Sequence, residues 1–336
     1  MINVAIIGYG YWGPNLARNF SENPGTLVSC ISDLSDARLK QAGSGKPHIK
    51  TTKDYKNLLK DDNLQLIAIS TPVSSHYRIA KDALNAGKHI FIEKPMTASV
   101  AEAEKLLELA RKKNLKVFVD HTFVFTGAIK KIKELLSSGD MGDIYYFDSV
   151  RVNLGLFQHD VNVIWDLAPH DFSVMDYLID RKPASISAVG ANRVHNKIED
   201  IAYVTARFQD GLIAHFHVNW MSPVKIRRII IGASRKMIVF DDLNPDEKVK
   251  VYDKGVTLMD APKDKLYKSL VQYRIGDMHA PKIESVEALK TEVAHVVDCL
   301  KNGKEPNNDG EAGLRVVRLL ESAQKSLQKG GTFVNI

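Results

Sequence analysis

Residues 8–13 read GYGYWG, after the apolar run INVAII (2–7) and before PNLARNF (14–20). Three glycines at this spacing are a weak signal alone, and the setting decides the fold. INVAII is a short apolar strand. Pro14 suits the first turn of a helix, where no backbone N–H is needed, and Leu16, Ala17 and Phe20 follow at helical spacing. In such a strand–turn–helix, Gly8 turns the chain off the strand, Gly10 admits backbone to a pyrophosphate and Gly13 lets the helix pack closely on the sheet. Phosphates then sit at the helix N-terminus, where free N–H groups and the dipole favour anions. Tyr11 and Trp12, inside the loop, are expected against the same ligand. About 20 positions on, Asp33 ends the strand TLVSCISD (26–33) and is placed to accept both ribose hydroxyls of NAD. The bland alternative is an ordinary turn, with Asp33 capping the next helix. NADP is the weaker cofactor reading, because Arg38 lies near enough to hold a 2′-phosphate.

Strand and helix keep alternating through residue 120. LQLIAIST (64–71), KHIFIEK (88–94) and KVFVDHTF (116–123) read as buried strands, and SDARLKQA (35–42), SSHYRIAKDALNAG (74–87) and SVAEAEKLLELARKKN (99–114) as helices. Apolar strands alternating with helices mean a parallel sheet covered on both faces. After about residue 140 the pattern changes to strands: GDIYYFDSVRVN, ASISAVGANRV, AYVTARF, LIAHFHVNW, RRIIIGAS and KMIVFDD. Asp210-Gly211 marks a two-residue hairpin between two of them. The helix DFSVMDYLI interrupts them, and two tail helices (285–303 and 311–331) precede a short strand, TFVNI. The fold class is therefore α/β. A parallel-sheet dinucleotide domain (1–122) is expected, followed by an α+β domain (123–336) with a large, mostly antiparallel, open-faced sheet.

At 336 residues the chain exceeds one small core, and 44% hydrophobic with 26% charged residues is the balance of a globular enzyme. No apolar run is long enough to span a bilayer, and the N-terminus lacks the basic lead of a signal peptide. No membrane partner is expected, and the cytoplasm is the expected location. Cys30 and Cys299 stand in no redox or metal spacing, so neither a disulfide framework nor a metal is expected. The net charge of +6 suits anionic small ligands. Its densest clusters, RKK (111–113) and KIRR (225–228), lie within apolar periodicity and read as solvated faces, so no nucleic acid is expected.

A nicotinamide enzyme that oxidises an alcohol needs a group to take the hydroxyl proton, near the carboxyl ends of the strands. Three segments qualify: STPVSSH with Thr71, Pro72 and His76, EKP with Glu93, Lys94 and Pro95, and DHT with Asp120 and His121. Lys94, before proline, is biased to an extended conformation, and burial beside a cationic ring would depress its pKa. In the second domain DLAPH carries Asp166 and His170, four apart. If a helix begins here, they share a face, Pro169 lies in its first turn, and the helix end favours a neutral imidazole. Alternatively Asp166 is only an N-cap and His170 a structural histidine.

The glycine loop, TPxxxH, EKP and the Asp-x-x-x-His pair together resemble the Gfo/Idh/MocA family of sugar and cyclitol oxidoreductases, over essentially the whole chain. The resemblance implies that Lys94 binds a substrate hydroxyl beside the nicotinamide and has a cis bond to Pro95. It implies that Asp166 and His170 orient the sugar, with His170 rather than Lys94 favoured as acid/base. His121, Arg151, Asn153 and the loop FQHDVNVIW, with Gln158, Asp160, Asn162 and Trp165, are the substrate candidates. GYGYWGPNLARNF, VNVIWDLAPHDFSVMDYL and DGEAGLRVVRLLESA look most like members acting on nucleotide-activated sugars. This implies 3-dehydrogenation of UDP-N-acetylglucosamine or its uronate. A free cyclitol or aldose dehydrogenase and a non-catalytic ligand sensor remain alternatives. The resemblance also implies a homodimer or homotetramer formed through the second-domain sheet. That agrees with apolar positions on both alternating faces of its strands.

Overall fold

The computed structural model describes every residue except 156, 159, 195–197 and 259–270. The chain divides into Met1–Thr126 with Val286–Glu321, and Gly127–Ser285 with Ser322–Ile336. The first break falls close to residue 122. The segment 286–321, grouped by sequence with the second domain, belongs to the first unit. Its helices are amphipathic, and an apolar stripe says that a helix is buried without saying against which core.

In the first unit β1 (Ile2–Ile7), α1 (Gly13–Glu22), β2 (Thr26–Ser32), α2 (Asp36–Gly43), β3 (Lys50–Thr52), α3 (Tyr55–Leu59), β4 (Leu66–Ile69), α4 (Val73–Asn85), β5 (His89–Glu93), α5 (Val100–Lys112) and β6 (Val117–Asp120) follow in order. The sheet order is β3-β2-β1-β4-β5-β6 and every pairing is parallel. Val4, Ala5 and Ile6 are buried, as are all four residues of β4, so consecutive side chains are covered on both faces. The order reverses between β1 and β4, the crevice where open α/β sheets take their ligands. β3 and α3 carry too little apolar periodicity to be read beforehand, and β3 is an exposed polar edge strand.

Two later helices, α8 (Ala288–Asn302) and α9 (Gly310–Gln328), complete the unit's covering. Leu289, Val293 and Val296 of α8 join Phe20, Phe91 and Phe118 on one face of the sheet. Phe20 meets Phe91 edge-on at 5.6 Å. Leu314 and Val317 of α9 join the α4 and α5 side chains on the other face. Asn308 and Asp309 close the edge of β6, where the Val119 N–H donates to the Asn308 carbonyl at 2.8 Å.

The second unit contains α6 (Gly127–Ser137), β7 (Ile144–Leu154), α7 (Val163–Leu178), β8 (Ser185–Ala191), β9 (Ile201–Arg207), β10 (Ile213–Asn219), β11 (Met221–Ala233), β12 (Met237–Asp241), β13 (Val249–Tyr252), β14 (Gly255–Leu258), β15 (Val271–Arg274), β16 (Met278–His279) and β17 (Val334–Asn335). Nine strands form one sheet, β16-β13-β12-β11-β7-β10-β9-β8-β17, in which only β7 and β10 run parallel. β14 and β15 pair separately. Asp210-Gly211 does lie in a hairpin, but Phe208 N–H bonds to the Leu212 carbonyl, so the loop is longer than two residues.

Helix α7 covers one face of the large sheet, with Phe172 edge-on to Phe216 at 4.8 Å. Ala214, Phe216, Val218 and Trp220 alternate toward it. The opposite face carries apolar positions, as the alternation suggested, but mixed with polar rings, and Ile213 stands among them. It carries Tyr146, Tyr203, His215 and His217, with Tyr203 stacked on His217 at 4.4 Å and His215 3.1 Å from Asp148. Among the described residues no helix is long and apolar enough to cross a membrane.

Candidate active site

The glycine loop is fixed by contacts that allow little else. Gly8 has φ +96°, and a Cβ there would lie 2.6 Å from the Ser70 carbonyl oxygen. A Cβ on Gly13 would lie 2.2 Å from the Gly8 carbonyl oxygen, so α1 has to begin hard against the end of β1. A Cβ on Gly10 would meet only the Arg38 guanidinium, at 3.6 Å, and its side of the loop is open for a ligand's approach. Trp12 occupies the N-cap of α1, where its carbonyl accepts from Asn15 and Leu16. No acidic side chain occupies the first turn. Tyr11 is exposed.

Asp33 sits just beyond β2, almost buried. Its Oδ2 accepts the Tyr9 N–H at 2.7 Å and its Oδ1 the Ser35 N–H at 2.8 Å. Arg38 approaches Oδ2 at 3.5 Å from the solvent side. A carboxylate has about four lone-pair sites, so capacity for ribose hydroxyls remains. The open side of Gly10, the helix N-terminus and the rim carboxylate fit a dinucleotide.

Behind the loop the next turns are clamped together. His76 is 1% exposed, and its Nδ1 and Nε2 lie 3.0 and 2.7 Å from the Pro95 and Thr71 carbonyl oxygens. Burial pushes its pKa down, so the ring is neutral and donates its one N–H to one carbonyl at a time. Expected to touch cofactor, His76 holds the Thr71-Pro72 turn to the Lys94-Pro95 turn. The latter contains the expected cis bond. Pro72 caps α4 and is exposed, and Thr71 accepts the Ser75 hydroxyl at 2.7 Å. Glu93 and Lys94 are half-buried where β5 ends.

Asp120 ends β6 in register with Glu93. It accepts the Trp12 indole N–H at 2.6 Å and the Thr122 hydroxyl. Trp12, also expected at the cofactor, thereby ties the glycine loop to the sheet edge. His121 follows, 3% exposed, with no hydrogen-bond partner for either ring nitrogen among the described residues. Burial first, then the charges of Lys94 and Arg315, push its pKa down to about 3, so it stays neutral.

In the second unit α7 starts earlier than the sequence suggested. Asn162 is its N-cap, with Oδ1 accepting the Trp165 N–H at 3.2 Å and Nδ2 donating to Glu199 and Gln324 at 2.8 Å. Three hydrogen bonds make Asn162 a capping residue rather than a substrate contact. Asp166 is therefore the fourth helical residue, not the cap, and Pro169 stands inside the helix, where it cannot donate to the Trp165 carbonyl. His170, the eighth residue, lies beyond the turn that a helix dipole influences, which removes that argument for its neutrality. The shared face of Asp166 and His170 survives, because four residues still separate them. Trp220, at the end of β10, donates its indole N–H to Asp166 Oδ2 at 2.8 Å.

Arg151, expected at the substrate, is buried and paired in two parallel bonds with Asp171, at 2.8 and 3.0 Å. The pair ties β7 to α7. Losing one partner of such a pair costs about 3–5 kcal/mol, because a charge is left behind in the core. Asn153, Gln158 and Trp165 are half-buried and Asp160 exposed. His159, in the same loop, lies outside the described residues.

Sequence reading missed four supporting residues: Asn308 and Glu292 in the first unit, and Trp220 and Asp171 in the second. Two had legible signals. Trp220 continues the inward alternation of β10. Glu292 falls on the apolar stripe of α8, with Leu289, Val293 and Val296.

Two family profiles match the chain. "Oxidoreductase family, NAD-binding Rossmann fold" covers residues 2–121, and "GFO/IDH/MocA C-terminal domain" covers 129–239. This chain belongs to the Gfo/Idh/MocA oxidoreductase family. Its first unit is an NAD-binding Rossmann fold, and the protein is an NAD(P)-dependent dehydrogenase. It is 31% identical over 260 residues to the uncharacterized oxidoreductase YdgJ of Escherichia coli (strain K12), spanning 74% of this chain and 73% of that one. It is 25% identical over 349 residues to the myo-inositol 2-dehydrogenase of Thermotoga maritima, covering 98% and 97%. Among solved structures, UDP-N-acetylglucosamine 3-dehydrogenase GnnA from Acidithiobacillus ferrooxidans shares the fold, with TM-score 0.83, 21% identity and 98% of each chain covered.

With a carboxylate, Asp33, just beyond the end of β2, NADH is expected to bind at least about tenfold more tightly than NADPH. Calorimetric dissociation constants check this, and tighter NADPH binding contradicts it.

Proposed function

We propose that this Gfo/Idh/MocA dehydrogenase oxidises a ring secondary alcohol of a nucleotide-activated sugar. UDP-N-acetylglucosamine or its uronate, oxidised at C3, is the leading substrate. The observation that carries the reading is the Asp166–His170 pair on one face of α7, with Asp166 pinned by Trp220. A pinned carboxylate beside an imidazole is what orienting a hydroxyl and taking its proton requires.

Bound NAD supplies the hydride acceptor. His170 takes the hydroxyl proton on a ring nitrogen as the C–H hydride leaves, and the alcohol becomes a ketone. Asp166 accepts a hydrogen bond from a neighbouring hydroxyl and fixes the ring's orientation. Lys94 donates to the reacting oxygen and stabilises negative charge growing there. Asn153, Gln158 and Trp165 supply polar and aromatic surface for a polyhydroxylated ligand, and a net positive chain suits a diphosphate. The named activity of the Thermotoga relative favours a second reading, a free cyclitol substrate.

The half-exposed face of the nine-stranded sheet, with Tyr146, Tyr203 and Ile213, is the surface proposed to pair with a second copy. Light scattering is expected to give a dimer or tetramer, and the mass of one chain would contradict that.

Incubation with NAD and a panel of UDP-sugars, free aldoses and myo-inositol, read by NADH absorbance, tests the substrate. Turnover is expected with a UDP-sugar, and H170A is expected to lower kcat by about 10²–10⁴-fold. Turnover of myo-inositol alone selects the cyclitol reading. Undiminished turnover in H170A removes the proposed base. NAD binding with no turnover across this panel favours the sensor reading.

A further inference from the structure

Within the first unit a buried hydrogen-bonded chain ends on the glycine loop and uses groups that the proposed chemistry does not. Glu292 on α8 and Asp120 at the end of β6 are both excluded from water. Asn308 Nδ2 donates to Glu292 Oε1 at 2.8 Å and to the Val119 carbonyl at 2.9 Å. Asp120 receives the Trp12 indole N–H on Oδ2 and the Thr122 hydroxyl on Oδ1. The two carboxyl groups lie close enough for each to act on the other's charge.

Two neighbouring carboxyl groups shut off from water cannot both stay ionised, and a proton kept on one lets it donate to the other, since an ionised carboxylate only accepts. Burial raises the Asp120 carboxyl too, but the Thr122 hydroxyl and the Trp12 indole N–H pull the other way and stabilise its anion. Glu292 Oε2 faces no donor among the described residues. The proton therefore resides on Glu292 Oε2 and is donated to Asp120. Burial, then the adjacent Asp120 and the more distant Glu93, hold the Glu292 carboxyl well above its ordinary range.

The far end of the chain is the N-cap of α1. Most N-cap residues tie themselves down with a side-chain oxygen. Trp12 makes no such cap, and its side chain is tethered instead through the indole to Asp120. Tyr9, at the other end of the loop, is tied through its N–H to Asp33. Gly10 and Tyr11 lie between the two tethers. A loop held at both ends is spared the entropy loss of ordering when the dinucleotide arrives.

We propose that Glu292, as a neutral acid, is a positioning residue for NAD: it orients Asp120, which holds Trp12 and with it the glycine loop in the binding conformation. The proposal rests on the NAD-binding fold and on no particular sugar.

E292Q keeps both bonds without a proton, since its Oε1 accepts from Asn308 and its Nε2 donates to Asp120. E292L fills the space with no donor. In ligand-free protein the Trp12 indole N–H, identified in a proton–nitrogen spectrum by its loss in W12F, is expected downfield and slow to exchange. E292Q leaves it there, and E292L moves it upfield and speeds exchange. By calorimetry, E292Q is expected to keep NAD affinity within about twofold, and E292L to weaken it about tenfold. In a W12F background the same E292L change costs less than about twofold, because its effect runs through the indole.

Three results overturn the proposal: an indole signal indifferent to E292L, an equal loss of affinity with and without Trp12, or E292Q as damaging as E292L. Should E292L fail to fold, the E292Q spectrum decides: an unmoved indole supports the tether and a displaced one refutes it. A parent that binds no NAD would refute the cofactor assignment, while the indole signal, read without ligand, still judges the tether.

Discussion

Helix α1 has to start where β1 stops, because nothing larger than glycine fits between Gly13 and the Gly8 carbonyl. A Cβ at Gly13 would sit 2.2 Å from that oxygen. This one close approach aims the helix's unsatisfied N–H groups across the carboxyl edge of the parallel sheet. It also fixes where Tyr9 and Trp12 leave the strand, and so which carboxylates can catch them. Asp33 holds one side of the loop and Asp120 the other. The ends of β4, β5 and β6 then bring Thr71, Lys94, Asp120 and His121 to the same edge.

Many of the polar residues gathered at the two candidate sites hold other residues in place. His76 clamps two turns, Asn162 caps α7, Arg151 locks α7 to the sheet through Asp171, and Trp220 pins Asp166. Buried polar groups need partners, and in these positions the partners are backbone carbonyls and side chains of the protein itself. The groups proposed to meet ligands are fewer: the open side of Gly10, the rim of Asp33, Lys94, the Asp166–His170 pair, and the surface of Asn153, Gln158 and Trp165. A site made of few reacting groups and many supporting ones keeps its geometry when substrate binds, which catalysis by proton and hydride transfer demands.

The parallel domain was legible because strand, glycines, helix and acid fall in an order that backbone geometry dictates. The strands of the second sheet were legible by alternation, and the shared face of Asp166 and His170 by spacing. The start of α7 was not. Asn162, Asp166 and Pro169 are all residue types that start helices; Asn162 caps this one through the Trp165 N–H, held in place by Glu199 and Gln324, which are distant in sequence. The tail helices were recognised as helices, but their apolar stripes name no partner core. Arg151 read as a ligand contact because a lone arginine in a strand gives no hint of Asp171, 20 residues away. Glu292 on an apolar stripe was visible, yet its meaning depends on Asp120, which only the fold brings beside it.

The central claim is our proposal that the dinucleotide lies on the glycine loop and that the Asp166–His170 pair holds the sugar alcohol it oxidises. A crystal structure with NAD and UDP-N-acetylglucosamine tests this directly. The account predicts pyrophosphate oxygens against the backbone of residues 10–13, ribose hydroxyls on Asp33, and the sugar's C3 hydroxyl within hydrogen-bond reach of a His170 ring nitrogen. A dinucleotide bound away from that loop, or a sugar whose reacting carbon faces neither His170 nor Lys94, would contradict it.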